Sequence, residues 1–151
     1  MKGYSRELDP EDTARAIAKD AHVSYKNSIE ICAAIRGMPV EGAKDYLEKV
    51  IDKKKPVPYL KHKGHISHKK GLGFGPGKFP VNAAKAILDL LHDVENNAEY
   101  KGLDPENMFI AHISAYRGRV FEGWQPRARG RSSAWNTITT NIELIIQEQK
   151  E

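Results

Sequence analysis

The sequence predicts an α+β fold with three helices and a long protruding β-hairpin. Apolar residues recur at the i, i+3, i+4, i+7 spacing of one-sided helices after Ser24, after Pro39 and after Pro80. Two further stretches have the patterns of strands: residues 108–115 form an apolar run, and residues 138–146 alternate Ile, Thr or Leu with polar residues. A long arginine-rich segment joins them. The two strands and this segment therefore form an extended hairpin, residues 112–140.

The segment between the strands, residues 117–135, holds five arginines and one acid. It carries +4, which equals the formal net charge of the whole chain. If each arm adds about ten residues at ~3.3 Å, the tip stands about 30 Å from the body. No alternating apolar face lies between Tyr116 and Ser133, and an isolated two-stranded ribbon is only marginally stable in water. The hairpin therefore requires an external partner.

The residue types in this segment indicate which partner it binds. Arginine offers planar, bidentate donors for phosphate, and Trp124 and Trp135 can stack on bases. Gly118, Gly123 and Gly130 let a ligand approach the backbone closely. These features together indicate folded RNA. The alternative is a solvated, disordered arginine-rich loop, which many basic runs are.

The same residues resemble a known family. Arg119-Val120, the run 125–131 (QPRARGR) and residues 139–146 resemble the tip and return strand of the universal large-subunit ribosomal protein twenty-two family. The similarity extends over about residues 14–147, including the Ile-Arg-Gly-Met run at 35–38 and Asn-Asn-Ala at 96–98. It implies an archaeal or eukaryotic type of structural protein whose hairpin lines the nascent-peptide exit tunnel and is held by large-subunit rRNA.

The resemblance also implies roles for individual residues. Arg127, Arg129 and Arg131 are expected to meet rRNA near the tunnel constriction, and Trp124 departs from the aliphatic or small polar residue of many relatives. The tip residues expected near the nascent polypeptide are Gln125, Pro126, Arg127, Ala128 and Arg129. Together with the residue chemistry of the hairpin and the lysines of a second basic segment, residues 53–79, the resemblance gives the expected rRNA-binding set: Lys61, Lys63, Lys69, Lys70, Lys78, Arg117, Arg119, Trp124, Arg127, Arg129, Arg131 and Trp135. Neighbouring large-subunit ribosomal proteins are further expected partners.

The first element of the chain has two interpretations. Proline after Asp9 favours a helix start, with the alanine-rich run that follows as its continuation. The resemblance instead implies an extended strand over residues 14–23 that pairs with the base of the hairpin. We adopt the strand. The predicted fold is then three helices packed on a small antiparallel three-stranded sheet, in a single domain over residues 1–151.

The helices and the return strand have local signals at their ends. Ser24 is the predicted N-cap of the first helix, which Gly37 ends, and the apolar face of this helix includes Tyr25. The third and longest helix opens at Pro80 and stops at Gly102, so it forms the centre of the core. In the return strand, Ile138, Thr140, Ile142, Leu144 and Ile146 alternate with Thr139, Asn141, Glu143 and Gln147.

A second basic segment covers residues 53–79. Residues 53–78 contain eight lysines, three histidines, five glycines and no acid, which leaves the chain outside the two basic segments at −8. Such segregation indicates a second RNA-contacting loop, and its Gly-Pro content excludes long regular structure. A flexible linker is the alternative. The archaeal and eukaryotic branch of the family has an insertion at this place.

Neither a metal nor a nucleotide is expected in this loop. His62, His65 and His68 lie three apart, but no carboxylate or thiol accompanies them and the lysines repel cations. The glycine run that ends at Gly77-Lys78 resembles a phosphate-binding loop, yet Leu72 stands at the first glycine position and Phe79 replaces the hydroxyl residue. We therefore expect no cofactor.

The remaining sequence features concern compartment and catalysis. No apolar run approaches the ~20 residues of a membrane span, the N-terminal residues show no signal region, and Cys32 has no second cysteine to pair with. A cytoplasmic protein is expected. His22, His92 and His112 are scattered, so no catalytic group is assembled and an enzyme is not expected. A free-standing nucleic-acid-binding regulator and a small enzyme acting on nucleic acid remain as alternatives.

Overall fold

The structure, a computed structural model that describes residues 3–149, contains a three-stranded antiparallel sheet. The central strand β7 is Thr137–Glu148, and it lies between β1, Thr13–Ala21, and β4, Met108–Phe121. Residues 1, 2, 150 and 151 of the expected domain lie outside the described residues. The adopted strand at the N-terminus is confirmed, and the helix that proline after Asp9 favours is wrong.

Pairing with β7 explains why an alanine-rich segment is extended. The register runs from Thr13↔Gln147 to Ala21↔Thr140, so the backbone groups of β1 that face β7 are paired with it. The buried alanines Ala14 and Ala16 are small enough for the third helix to pack closely on the strand. These tertiary contacts outweigh the modest helix preference of alanine.

The three predicted helices are confirmed. They are α1, Tyr25–Ile35, α2, Val40–Ile51, and α3, Val81–Tyr100. Gly37 and Gly102 follow the first and third helices with φ of +79° and +77°, a conformation that glycine adopts without a Cβ penalty. Ser24 is at the N-cap position of α1, but its side chain makes no capping hydrogen bond, so this part of the prediction is wrong.

The core lies where the helices meet the sheet. Its largest fully buried side chains are Ile31, Ile35, Leu47, Ile87, Leu91, Met108, Ile110, Ile113, Ile142, Leu144, Ile145 and Ile146. Each such side chain contributes roughly 1.5–3 kcal/mol when it is buried. The body therefore has a hydrophobic core of its own, to which the outer part of the hairpin adds no residue.

The polar face of β7 is covered, and Glu143 on this face is fully buried. The segment before β1 crosses this face, and the Ser5 backbone N–H donates to Glu143 Oε2 at 3.1 Å. His112 Nε2 lies 3.0 Å from Glu143 Oε1, and the Ser5 hydroxyl also donates to that oxygen. The alternating pattern located the polar face correctly, but it carries no information about the segment that covers it.

Strands β4 and β7 continue past the end of β1 and form the predicted hairpin. We call the paired residues 117–121 and 137–139 the inner arm; it ends at the pair Phe121↔Thr137. The outer arm, residues 124–134, contains β5, Trp124–Arg127, and β6, Arg131–Ala134. None of the helices within residues 3–149 combines the length and apolar character that crossing a bilayer requires.

Candidate nucleic-acid interface

The outer arm is an exposed ribbon with arginines around its turn. Strands β5 and β6 pair as far as Arg127↔Arg131, and Arg129 and Gly130 in the three-residue loop between them have φ of +61° and +65°, in the left-handed region. Every residue from 124 to 132 is exposed. Arg127 Nε donates to Ser133 Oγ at 2.9 Å. Within residues 3–149, the side chains of Arg129 and Arg131 make no hydrogen bond or ion pair, so both can bind an anion.

Large apolar side chains are exposed where the inner arm meets the outer arm. Trp124 and Trp135 are 69% and 64% exposed, and Phe121 beside them is 51% exposed. The Trp135 N–H donates to the Gly123 carbonyl at 2.6 Å, and a Cβ on Gly123 would lie 2.6 Å from the Trp135 oxygen. Glycine is therefore required at this joint. The exposed rings offer faces on which bases can stack.

Tyr25 connects the base of the hairpin to the basic loop. The Arg117 guanidinium lies 4.6 Å from the Tyr25 ring centroid and donates to the phenol oxygen at 2.7 Å. This hydrogen bond lowers the pKa of Tyr25. The His62 ring also contacts Tyr25, edge to face, with centroids 6.0 Å apart. Tyr25 is thus half-exposed rather than part of the predicted apolar face, and it joins two basic surfaces into one.

Arg119 is placed differently from the arginines of the outer arm. Its Nε lies 3.5 Å from Asp20 Oδ2, and its side chain is 77% exposed. An exposed pair of this kind is weak, because water and salt screen it. The guanidinium can therefore leave Asp20 for a phosphate at little cost.

The basic loop is folded against α1 rather than free. Glu30, which is 1% exposed, accepts hydrogen bonds from three successive backbone N–H groups, those of Leu60 at 2.8 Å, Lys61 at 2.9 Å and His62 at 2.6 Å. Two short strands, β2 at Val57–Pro58 and β3 at Gly77–Lys78, pair across the loop. The prediction of no long regular structure is confirmed, but Glu30 was not expected to hold the loop.

Two adjoining grooves lie between this loop and the helices. The first, of about 470 Å³, is lined by Lys26, Lys61, Lys78, His62 and His65, together with Ser24 and Asn27. The second, of about 430 Å³, shares Ser24, Asn27 and Lys78 and adds His22, Lys53 and Asn82. No carboxylate is among the described residues that line either groove. A cleft lined by one sign of charge attracts anions, so both grooves fit phosphate groups.

The structure divides the predicted lysines into groups. Lys61 and Lys78 line the first groove, whereas Lys63 and Lys70 are exposed outside it. Lys69 is turned inward, with Nζ 5.3 Å from the Phe79 ring centroid. The sequence did not identify Lys26, because its place in the groove depends on the loop folding back onto α1. In residues 3–149, no three histidine, cysteine or carboxylate side chains gather as metal ligands would.

The histidines have structural partners. His92 Nδ1 lies 3.6 Å from Glu95 Oε2 on α3. Ser5 Oγ and Glu143 Oε1 each lie 3.0 Å from the same nitrogen of His112, Nε2. A catalytic serine and its acid instead use opposite nitrogens of the histidine ring, so this cluster is not arranged for nucleophilic catalysis.

Comparison with known proteins assigns the chain to a family. The sequence profile described as Ribosomal protein L22p/L17e matches residues 16–147, which include most of the three-stranded sheet, all three helices and the hairpin. The chain belongs to this family. The L22p/L17e proteins are structural ribosomal proteins, so the chain is not an enzyme and has a structural role in the ribosome.

Individual relatives of the L22p/L17e family agree over nearly the full length. A protein named large ribosomal subunit protein uL22 from Methanopyrus kandleri is 48% identical over 145 residues, covering 95% of this chain and 91% of the relative. The protein of the same name from Methanococcoides burtonii is 49% identical, covering 96% and 95%. The one from Thermoplasma acidophilum is 42% identical, covering 100% and 98%.

Proposed function

We propose that the chain binds large-subunit rRNA and that its outer arm lines the nascent-peptide exit tunnel. Its other partners are then neighbouring large-subunit proteins and the nascent polypeptide, on cytoplasmic ribosomes. The observation that carries the proposal is the exposure of the outer arm, whose arginines do not pack against the body of the protein. The names of the relatives, which place them in the large ribosomal subunit, support it.

The charges and rings supply a mechanism for binding. Each phosphate that an arginine or lysine neutralises releases counterions, so affinity is high at low salt and falls steeply as salt rises. The grooves beside Lys26 and Lys78 offer fixed phosphate sites on the body. Base stacking on Trp124 and Trp135 then sets the register of the hairpin along the RNA.

A salt titration tests the RNA contacts. Replacing Arg127, Arg129 and Arg131 together by Ala should weaken binding to large-subunit rRNA and reduce the slope of log K against log salt by about 2, since each lost contact removes roughly 0.7–0.9. A control triple variant, Arg6→Ala, Lys49→Ala and Lys85→Ala, removes the same charge from exposed sites elsewhere. Equal slopes in the two variants would contradict the assignment.

Cross-linking tests the tunnel position. A photoreactive residue at Gln125 or Ala128 should cross-link to a stalled nascent chain in assembled large subunits. The same residue at Glu48, which is exposed on α2, should not. No cross-link from either tip position would exclude the tunnel lining while leaving the RNA contacts untouched.

Sedimentation separates the remaining alternatives. A ribosomal constituent should travel with the large subunit through a moderate-salt wash. A free-standing regulator would remain mostly in the soluble fraction. The family assignment already argues against a nuclease-like role, and purified protein should leave RNA substrates intact.

A further inference from the structure

Two β-bulges lie next to each other where the hairpin leaves the three-stranded sheet. In β1, residues 19–20 lie opposite the single residue Asn141 of β7. In β4, residues 118–119 lie opposite the single residue Thr139. Thr139 and Asn141 are two positions apart, so their side chains are on the same face of β7. A bulge bends its strand and increases the local twist.

Side chains of β7 fill the hydrogen-bonding positions that the bulges open. Asn141 Oδ1 accepts from the Asp20 backbone N–H at 2.8 Å. Thr139 Oγ1 accepts from the Arg119 backbone N–H at 2.7 Å and donates to Asp20 Oδ1 at 2.8 Å. The Arg119 N–H also lies 3.2 Å from Asp20 Oδ1. Asp20 therefore links the two bulges, although they belong to strands on opposite sides of β7.

The local backbone is adapted to this arrangement. Asp20 has φ of +53°, a left-handed conformation that costs energy for most residues and that Asp tolerates better. A Cβ on Gly118 would overlap Thr139 Oγ1 and lie 2.9 Å from Asp20 Oδ1, so no larger residue fits there. Hydrogen bonds from Thr139 and then from Arg119 lower the pKa of Asp20, which keeps the accepting carboxylate ionised.

We propose that these two bulges, joined through Asp20 and Thr139, set the direction in which the hairpin leaves the body. Because both flanking strands are bent at one point and connected across β7, the inner arm cannot swing at its base. The Thr140 hydroxyl strengthens the junction by donating to the Val23 carbonyl at 2.6 Å. Asp20 and Thr139 are then positioning residues, and the benefit of a fixed direction rests on the proposed binding of a preformed RNA cavity.

Distance measurements between spin labels test this geometry in the full-length, RNA-free protein. One label is attached to Glu122→Cys at the end of the inner arm and the other to Lys85→Cys on the exposed side of α3. Cys32 is buried and stays unlabelled. Thr139→Val removes the hydroxyl at constant shape, Thr139→Ser retains it, and Thr137→Val makes the same change at an exposed position two residues away.

We expect one narrow distance distribution for the parent, Thr139→Ser and Thr137→Val, and at least a twofold broader one for Thr139→Val and Asp20→Ala. Circular dichroism confirms that each variant is folded. Equal widths in all folded variants would overturn the proposal.

RNA titration then separates this result from the proposed function. Thr139→Val should bind about tenfold more weakly with an unchanged salt slope, because no cation is lost, whereas failure of the parent to bind rRNA would leave the distance result intact.

Discussion

Among single residues, Glu143 has the most consequential surroundings. It is fully buried, and its carboxylate accepts hydrogen bonds from Ser5 while facing His112. Burial by itself raises the pKa of Glu143, but the hydrogen bonds from Ser5 and His112 outweigh burial and hold the pKa below its ordinary value. The folded state therefore favours the ionised carboxylate, and Glu143 stabilises the protein when it is charged.

This assignment predicts a pH-dependent loss of stability in Glu143→Gln. Since the folded pKa is depressed, the contribution of Glu143 is fully present above its ordinary pKa of 4.5 and is lost as pH falls through the folded value. We expect the variant to be about 1–3 kcal/mol less stable at pH 7, with the difference shrinking below about pH 4.5. Urea denaturation at several pH values measures it.

The control for this measurement is Glu48→Gln on the exposed face of α2. Burial raises the pKa of Tyr4 and of Tyr116, which also face Glu143, so neither phenol ionises in this range. His112 faces the carboxylate too, so the comparison is repeated in a His112→Gln background. A difference that is constant from pH 7 to pH 4 would contradict the prediction.

Cys32 is a residue whose pKa is dominated by burial. The side chain is 2% exposed, and burial raises its pKa from 9.0 to about 12. The thiolate is the reactive form, and this shift lowers its population about a thousandfold at neutral pH. We expect a thiol reagent to modify the native protein at least a hundredfold more slowly than the urea-unfolded protein. Comparable rates in the two states would show that the side chain is accessible.

At the scale of elements, local signals in the sequence predicted the helices but not strand β1, which depends on a distant strand. The ends of α1 and α3 have local signals, the proline or serine at the start and the glycine after the end, so the sequence located them within a residue or two. Strand β1 is extended because β7 pairs with it, and the residues of β1 alone favour a helix. Only the family resemblance supplied that long-range information.

The basic loop makes the same point for the candidate site. The charge of the loop was evident from the sequence. Its position depends on Glu30, whose carboxylate accepts hydrogen bonds from three backbone N–H groups of the loop. Because a long-range clamp of this kind leaves no local pattern, the grooves lined by Lys26 and Lys78 could not be predicted. The arginines of the outer arm could be predicted, since a hairpin turn depends only on the two strands that it joins. Their RNA contacts stay a prediction.

The clamp predicts the behaviour of Glu30→Gln. A neutral amide has one acceptor oxygen where the carboxylate uses two, so at least one part-buried N–H group loses its partner. We expect stability to fall by about 1–3 kcal/mol and trypsin to cut after Lys61 or Lys63 about tenfold faster. Limited proteolysis followed by mass spectrometry measures this. The exposed Glu48→Gln variant should be cut at the parental rate.

Across the whole molecule, charge and packing are divided between different regions. The body buries its apolar side chains between the helices and the sheet, whereas the two basic segments leave the rest of the chain at −8. Tyr25 brings these segments together through Arg117 and His62. A single surface can therefore follow an RNA from the grooves to the tip, with the acidic remainder of the chain outside it.

This division predicts different stabilities for the two arms of the hairpin. Strand β7 is buried from Ile142 to Ile146 and paired on both sides, so its amides should exchange only through global unfolding. The outer arm pairs only with itself, and its residues 124–132 are exposed. Without RNA, its amides should exchange at least a hundredfold faster than those of the sheet. Adding large-subunit rRNA should slow them at least tenfold.

Hydrogen exchange measured by NMR or mass spectrometry gives the exchange rates of the outer arm and of the sheet. The exposed residues among 103–107, which lie outside the basic segments, serve as an internal reference. The inner arm should exchange at an intermediate rate in both states, because the linked bulges hold its base. If the outer arm is as protected as the sheet in the absence of RNA, the hairpin is stable by itself. The need for a nucleic-acid partner would then have no physical basis, and the family relationship would be the remaining support for rRNA binding.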